Sequence, residues 1–205
     1  MIVDNPGTDA LPGLLVPDAV TWREWLVEHH PTAPGVWLVL TRKGGTTTRL
    51  TYEDAVLEAL CVGWIDGQGR ARDAETSFQR FTPRRSRSAW SATNVTRVER
   101  LAREGRMLPA GLAQVEAARV DGRWDRAYEG SAAMEPPEDL LTALAAEPRA
   151  QAWWDVLTSA NRFAICYRLH DARTPETRAR RLERFVADLA DGRPLHPQKR
   201  RPDGL

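Results

Sequence analysis

The 205-residue chain is predicted to be an α+β protein, with a small, mostly antiparallel sheet packed by helices in the N-terminal half and a helical C-terminal part. Three observations carry this expectation. The continuous run Val36-Trp37-Leu38-Val39-Leu40 suits a strand buried on both faces. Gln68–Arg72 and Ser77–Phe81 read as two strands of a hairpin joined by Asp73-Ala74-Glu75-Thr76. From Ser91 onward, apolar residues recur at helical spacing between capping residues, glycines and prolines.

Taken in order, residues 1–17 are Pro/Gly-rich and read as a flexible lead. Asp18 caps a helix over Ala19–His29, with Trp22, Trp25 and Leu26 as its apolar stripe; Pro31 and Pro34 break it. After the Val36–Leu40 strand, Gly44-Gly45 turns the chain and Thr46–Leu50 has strand character. Thr51 caps the next helix, with Glu53 and Asp54 in its positive first turn and Val56, Leu57, Leu60 and Cys61 on its buried face. The hairpin follows. Alternation puts Arg70 and Arg72 on one face of its first strand, and Phe78 and Arg80 on one face of its second.

Ser91 caps a helix that turns Val95, Val98 and Leu101 inward, points Arg97, Arg100 and Arg103 elsewhere, and ends at Gly105. Pro109 starts another, which stops near Asp121-Gly122. Met134–Asp139 is a Pro/Glu linker, so the expected organisation is a core over 18–133, a helical subdomain over 134–193 and a disordered tail over 194–205. Within the subdomain, helices are expected at Leu140–Ala146, over Ala150–Ala172, and from Thr174-Pro175-Glu176 to Gly192. Arg178, Arg180, Arg181 and Arg184 on the last helix, with Arg168 and Arg173, form a second basic feature above its core stripe.

The net charge is +1, so nothing global draws the chain to nucleic acid or membrane. No run approaches the length of a membrane-spanning helix, and residues 1–13 lack the basic and apolar segments of a signal peptide. Cys61 and Cys166 fall in apolar helical patterns and read as buried free thiols. The expected compartment is the cytoplasm. No zinc-ligand spacing, phosphate loop, dinucleotide fingerprint or Gly-x-Ser-x-Gly element occurs, and no cofactor is implied.

Charge is instead concentrated locally. Ten arginines lie between Arg70 and Arg106 against four acids, interleaved with Trp64, Phe78, Phe81 and Trp90. Guanidinium groups offer paired donors to carboxylate or phosphate and stack on indole faces. All but two of the 29 basic residues, Lys43 and Lys199, are arginines, so composition alone accounts for part of this density. A solvated surface explains any single arginine; the Thr82-Pro83-Arg84-Arg85-Ser86-Arg87-Ser88 loop has no evident packing purpose.

The elements Glu58-Ala59-Leu60-Cys61-x-Gly63-Trp64-Ile65-Asp66-Gly67 and Gln79-Arg80-Phe81-Thr82-Pro83-Arg84-Arg85-x-Arg87-Ser88-x-Trp90-Ser91 resemble the YdeI/OmpD-associated family, also labelled bacteriocin-protection proteins. Gly105-Arg106-Met107-x-Pro109-Ala110-Gly111, Ala117-Ala118-x-x-Asp121-Gly122-Arg123-Trp124, Ala160-Asn161-Arg162 and Pro175–Arg181 fit it too, so the resemblance spans about residues 20–197. It implies resistance to toxic peptides or envelope stress. Ala89 departs from the polar residue usual there.

The first reading is a resistance or stress-protection protein that binds a small anionic or aromatic molecule in a cleft. Its candidate residues are Trp64, Asp66, Arg70, Arg80, Phe81, Thr82, Arg84, Arg87, Trp90 and Asn94. Trp64 and Trp90 would stack on the ligand and the arginines would take the anion. A second reading is nucleic-acid binding through the Arg70–Arg106 surface. A third is an enzyme that inactivates a toxic small molecule with Asp66 as acid or base; Asp66 follows Trp64 at the end of an apolar helix, and its plainer role is a helix-end or turn residue paired with Arg70 or Arg80. His170, between Arg168 and Asp171, is the one histidine with catalytic potential, and a surface role suits it better. No oligomeric state is implied.

Overall fold

The computed structural model describes residues 2–3, 10–130 and 134–203. The chain divides into two compact units, 1–127 and 128–205. The architecture is α+β, with the strands in the N-terminal half and helices alone in the C-terminal part.

The first unit contains β1 (Ile2–Val3), β2 (Gly13–Leu14), α1 (Ala19–His29), β3 (Val36–Thr41), α2 (Tyr52–Cys61), β4 (Trp64–Ala71), β5 (Thr76–Pro83), α3 (Ala92–Arg103) and α4 (Pro109–Val120). The strands form one sheet in the order β1-β2-β3-β5-β4, antiparallel throughout except for the parallel β2–β3 pair. Asp18, Thr51 and Ser91 each accept a hydrogen bond from a backbone N–H three residues on, and so cap α1, α2 and α3 as the sequence predicts.

β3 is buried on both faces. Val36, Leu38 and Leu40 join the main core with Trp22, Leu26, Phe81 and every residue of α2 from Ala55 to Cys61 except Glu58. Trp37 and Val39 turn the other way and pack with Leu11 and Phe78 in a smaller cluster. Leu11, Leu14 and Val16 are buried, so residues 11–16 are part of the core rather than a loose lead. Thr46–Leu50 forms no strand. The buried Thr48 hydroxyl donates to the carbonyls of Val16 and Pro17, and the Thr48 backbone N–H donates to the Thr41 hydroxyl, so side chains take the place of a strand partner.

The hairpin is longer than the sequence suggests, because β4 begins at Trp64 rather than Gln68. Gly63, at φ +77°, ends the helical run and turns the chain straight into the strand. α4 crosses close by. A Cβ on Gly111 would collide with the carbonyl oxygen of Cys61, which instead accepts a hydrogen bond from the Leu108 N–H.

The second unit contains α5 (Glu138–Ala145), α6 (Pro148–Val156), α7 (Ser159–His170) and α8 (Pro175–Ala190). Its core gathers Leu140, Leu144, Trp153, Trp154, Ile165, Leu169, Phe185 and Leu189. Thr158 and Thr174 cap α7 and α8. The segment after α8, expected to be frayed, is tied to the start of α7: the fully buried Asn161 accepts from the His196 N–H and donates to the Gln198 side chain.

Candidate functional site

Residues directly opposite each other in a sheet share a face, so the register locates every side chain of the hairpin. Asp66 faces Phe81, and Phe81 faces Val36; Trp64 and Asp66 therefore lie on the helix-covered face. Arg70 faces Phe78, while Arg80 faces Trp37 and Thr82 faces Ile65, so these lie on the outer face. A bulge between Asp66 and Gly69 reverses the alternation. Asp66 and Arg70, four residues apart, would otherwise share a face. The expected pairing of Asp66 with Arg70 or Arg80 does not form. Asp66 accepts instead from the Tyr52 hydroxyl at 2.6 Å, which with burial holds that hydroxyl's pKa well above its usual value, burial being the larger cause.

The ten candidate residues thus do not line one cleft. Trp64, 1% exposed, and the buried Phe81 belong to an aromatic series through Trp22 and Trp25, with ring centres 5.3–5.9 Å apart. Neither presents a ring face to solvent. On the outer face Arg70 and Arg72 lie over the buried rings of Trp37 and Phe78 at 5.6 and 5.8 Å.

The loop after β5 has a packing purpose that its composition conceals. Arg84, only 5% exposed, stacks over Trp90 at 3.7 Å and donates to the Ala89 carbonyl at 3.0 Å. Trp90 packs on Trp124 at 5.0 Å. The buried Arg123 donates to the Ser88 carbonyl and is held by Asp121 at 2.7 Å. Two buried arginines therefore stitch the loop from within, leaving Arg85 and Arg87 exposed.

Asn94 leads to a different group of residues. Its backbone N–H is capped by Ser91, and its side-chain oxygen accepts from Arg97 at 2.8 Å. Arg97 also makes a two-pronged contact with Glu53 in the first turn of α2. This pair forms one wall of a depression of about 530 Å³ lined by Glu53, Ala92, Thr93, Thr96, Arg97, Arg100 and Arg103. Arg100 is exposed and lies 3.9 Å from Glu104, whereas Arg103 is exposed with no ion-pair partner among the described residues. None of the lining residues stands among the ten cleft candidates, although the three arginines fall within the Arg70–Arg106 stretch, and Asn94, a candidate, touches the hollow only through Arg97. The signal was present, since arginines at 97, 100 and 103 recur every three residues along one helix face.

A further polar cluster lies inside the first unit. Glu58, 8% exposed, accepts from Arg23 at 2.8 Å and from Arg106 at 2.6 Å, and Arg23 also donates to the Arg106 carbonyl. Cys61 lies beside it, fully buried, and burial pushes its thiol pKa up. The cluster ties α1 and α2 to the turn before α4; Glu58, Cys61 and Arg106 fall in motifs quoted from the sequence, whereas Arg23 carries no signal there. Among the described residues no group of three or more His, Cys, Asp or Glu side chains is placed to hold a metal ion.

Fold and surface together define a two-unit α+β protein whose arginines are divided between buried structural stitches and exposed helix faces. Residues 133–192 match the family model described as bacteriocin-protection, YdeI or OmpD-associated. That span covers only the C-terminal part of the chain, less than the 20–197 read from motifs. Residues 14–114 match a separate model, a domain of unknown function (DUF8412), and the Glu58–Ser91 motifs fall within it. No curated protein matches the chain. No solved structure does either.

Proposed function

We propose that the protein is a bacteriocin-protection-type protein whose first unit binds an anionic group in the α3 depression. One observation carries this reading. Arg97 is fixed in place by Glu53 and Asn94, while Arg100 and Arg103 line the same hollow with exposed guanidiniums and only one carboxylate, Glu53, among them. A preset arginine beside two exposed ones suits an anion with several oxygens, because each charge-assisted bond adds to a geometry already half organised. The family assignment of residues 133–192 supports the protective role. The proposed compartment is the cytoplasm, which two buried free cysteines suit. No helix among the described residues is long and apolar enough to cross a membrane.

The test is protection itself. Expression of the chain in a bacteriocin-sensitive strain should raise the dose the cells survive, and Arg100→Gln with Arg103→Gln should remove most of that gain at equal protein level. Full protection by the double variant would overturn the reading.

The outer sheet face supports a second reading, in which Arg70, Arg72 and Arg80 contact nucleic-acid phosphates. With Trp37 and Phe78 buried, no base could stack there, so affinity would come from phosphate contacts and fall steeply with salt. Absence of duplex and single-strand binding at low salt would remove it. The enzymatic reading has less support, since one Asp66 oxygen is occupied by the Tyr52 hydroxyl.

A further inference from the structure

A second hollow lies on the C-terminal unit, between α7 and α8. Its volume is about 390 Å³, within the range of small-molecule sites, and it is lined by Tyr167, Arg168, Asp171, Arg181, Arg184 and Phe185. Phe185 is buried and Tyr167 half-buried. The Tyr167 ring is backed by Phe163, stacked at 5.8 Å, and by the edge of Tyr128 at 4.8 Å. Such backing holds one aromatic face rigid.

The charged lining is unevenly neutralised. Arg181 is fixed, donating to the Arg168 carbonyl at 2.5 Å and lying 3.8 Å from Asp171. Arg184 lies 3.4 Å from Asp188, a carboxylate already held by Arg193 at 2.9 Å. Arg168 is exposed and makes no ion pair among the described residues. Three guanidiniums therefore meet one aspartate across an apolar floor.

We infer that this hollow binds an organic carboxylate with an apolar body, the carboxylate on Arg168 and Arg184 and the apolar part on Tyr167 and Phe185. An inorganic anion would leave the aromatic floor unused. A neutral aromatic would crowd the guanidiniums without satisfying them. Arg181, held by the Arg168 carbonyl and near Asp171, lines the same hollow. The site lies on different helices from the α3 depression and does not depend on it.

Nitrogen-15 spectra of the full chain, titrated with N-acetylphenylalanine, its amide and acetate, test the inference. N-acetylphenylalanine should give saturable shifts at residues 167–171 and 181–185, with the amide and acetate each weaker by on the order of tenfold. Arg168→Gln with Arg184→Gln, both exposed, should weaken the acid by about tenfold and leave the rest of the spectrum in place. Absence of saturable shifts in these segments, equal affinity for acid and amide, or unchanged affinity in the double variant would overturn it.

Discussion

The guanidinium of Arg84 lies 3.7 Å from the centre of the Trp90 ring, and both side chains are buried. A desolvated contact of this kind contributes about 2 kcal/mol, and only a planar cation makes it well. Arg84→Lys should therefore lower stability by about 1–2 kcal/mol, read as a lower urea midpoint with the slope unchanged. Loss of anion affinity at full stability would instead make Arg84 a ligand contact.

Glu58 is the carboxylate on which Arg23 and Arg106 converge. Glu58→Gln would leave two guanidiniums facing a neutral amide. Removing one partner of a buried pair costs about 3–5 kcal/mol, and the partial exposure of Arg106 reduces this to about 2–3 kcal/mol. Chemical denaturation measures it directly. A variant as stable as the parent would show that solvent already screens the cluster.

Gly111→Ala tests how closely α4 approaches the end of α2. The added methyl meets backbone at Cys61, which cannot swing aside as a long side chain can. A loss of about 1–3 kcal/mol is expected, although alanine is the better helix former. A stabilised variant would mean that the two elements separate freely.

In the C-terminal unit, two hydrogen bonds from Arg178, each 2.8 Å, hold the Asp139 carboxyl below its usual pKa. A carboxyl whose pKa is lowered by folding contributes stability above its unfolded value, about pH 4. That contribution is lost as pH falls through the lower folded value. Both side chains are partly exposed, so it amounts to about 0.5–1 kcal/mol. Asp139→Asn should flatten the acid limb of the stability–pH curve by this much and leave its shape near neutrality unchanged. An unaltered acid limb would contradict the pairing.

Much of this fold could be read from local chemistry. The caps at Asp18, Thr51, Ser91 and Thr174, and the doubly buried strand at Val36, follow from residue type and spacing. Thr46–Leu50 misleads because β-branched residues signal a strand whether or not a partner strand is at hand. Trp64 and Asp66 read as a helix end because the apolar run continues unbroken through Gly63, where only the backbone changes.

The site was less legible than the fold. Interleaved arginines and aromatics look like one surface, but the bulge after Asp66 sends Asp66 and Arg70 to opposite faces. Sequence density also cannot separate Arg84, spent inside the protein, from Arg100 and Arg103 outside it. The ion pairs that build the other two polar groups, Glu53 with Arg97 and Arg23 with Glu58, join residues 44 and 35 positions apart.

The claim that the α3 hollow takes an anion is tested most directly by titrating the nitrogen-15-labelled chain with inorganic pyrophosphate. Saturable shifts should centre on Thr93, Thr96, Arg97, Arg100 and Arg103, and Arg100→Gln with Arg103→Gln should weaken binding by tenfold or more, about 1.4 kcal/mol. Shifts that never saturate in this segment, or that survive unchanged in the double variant, would contradict it.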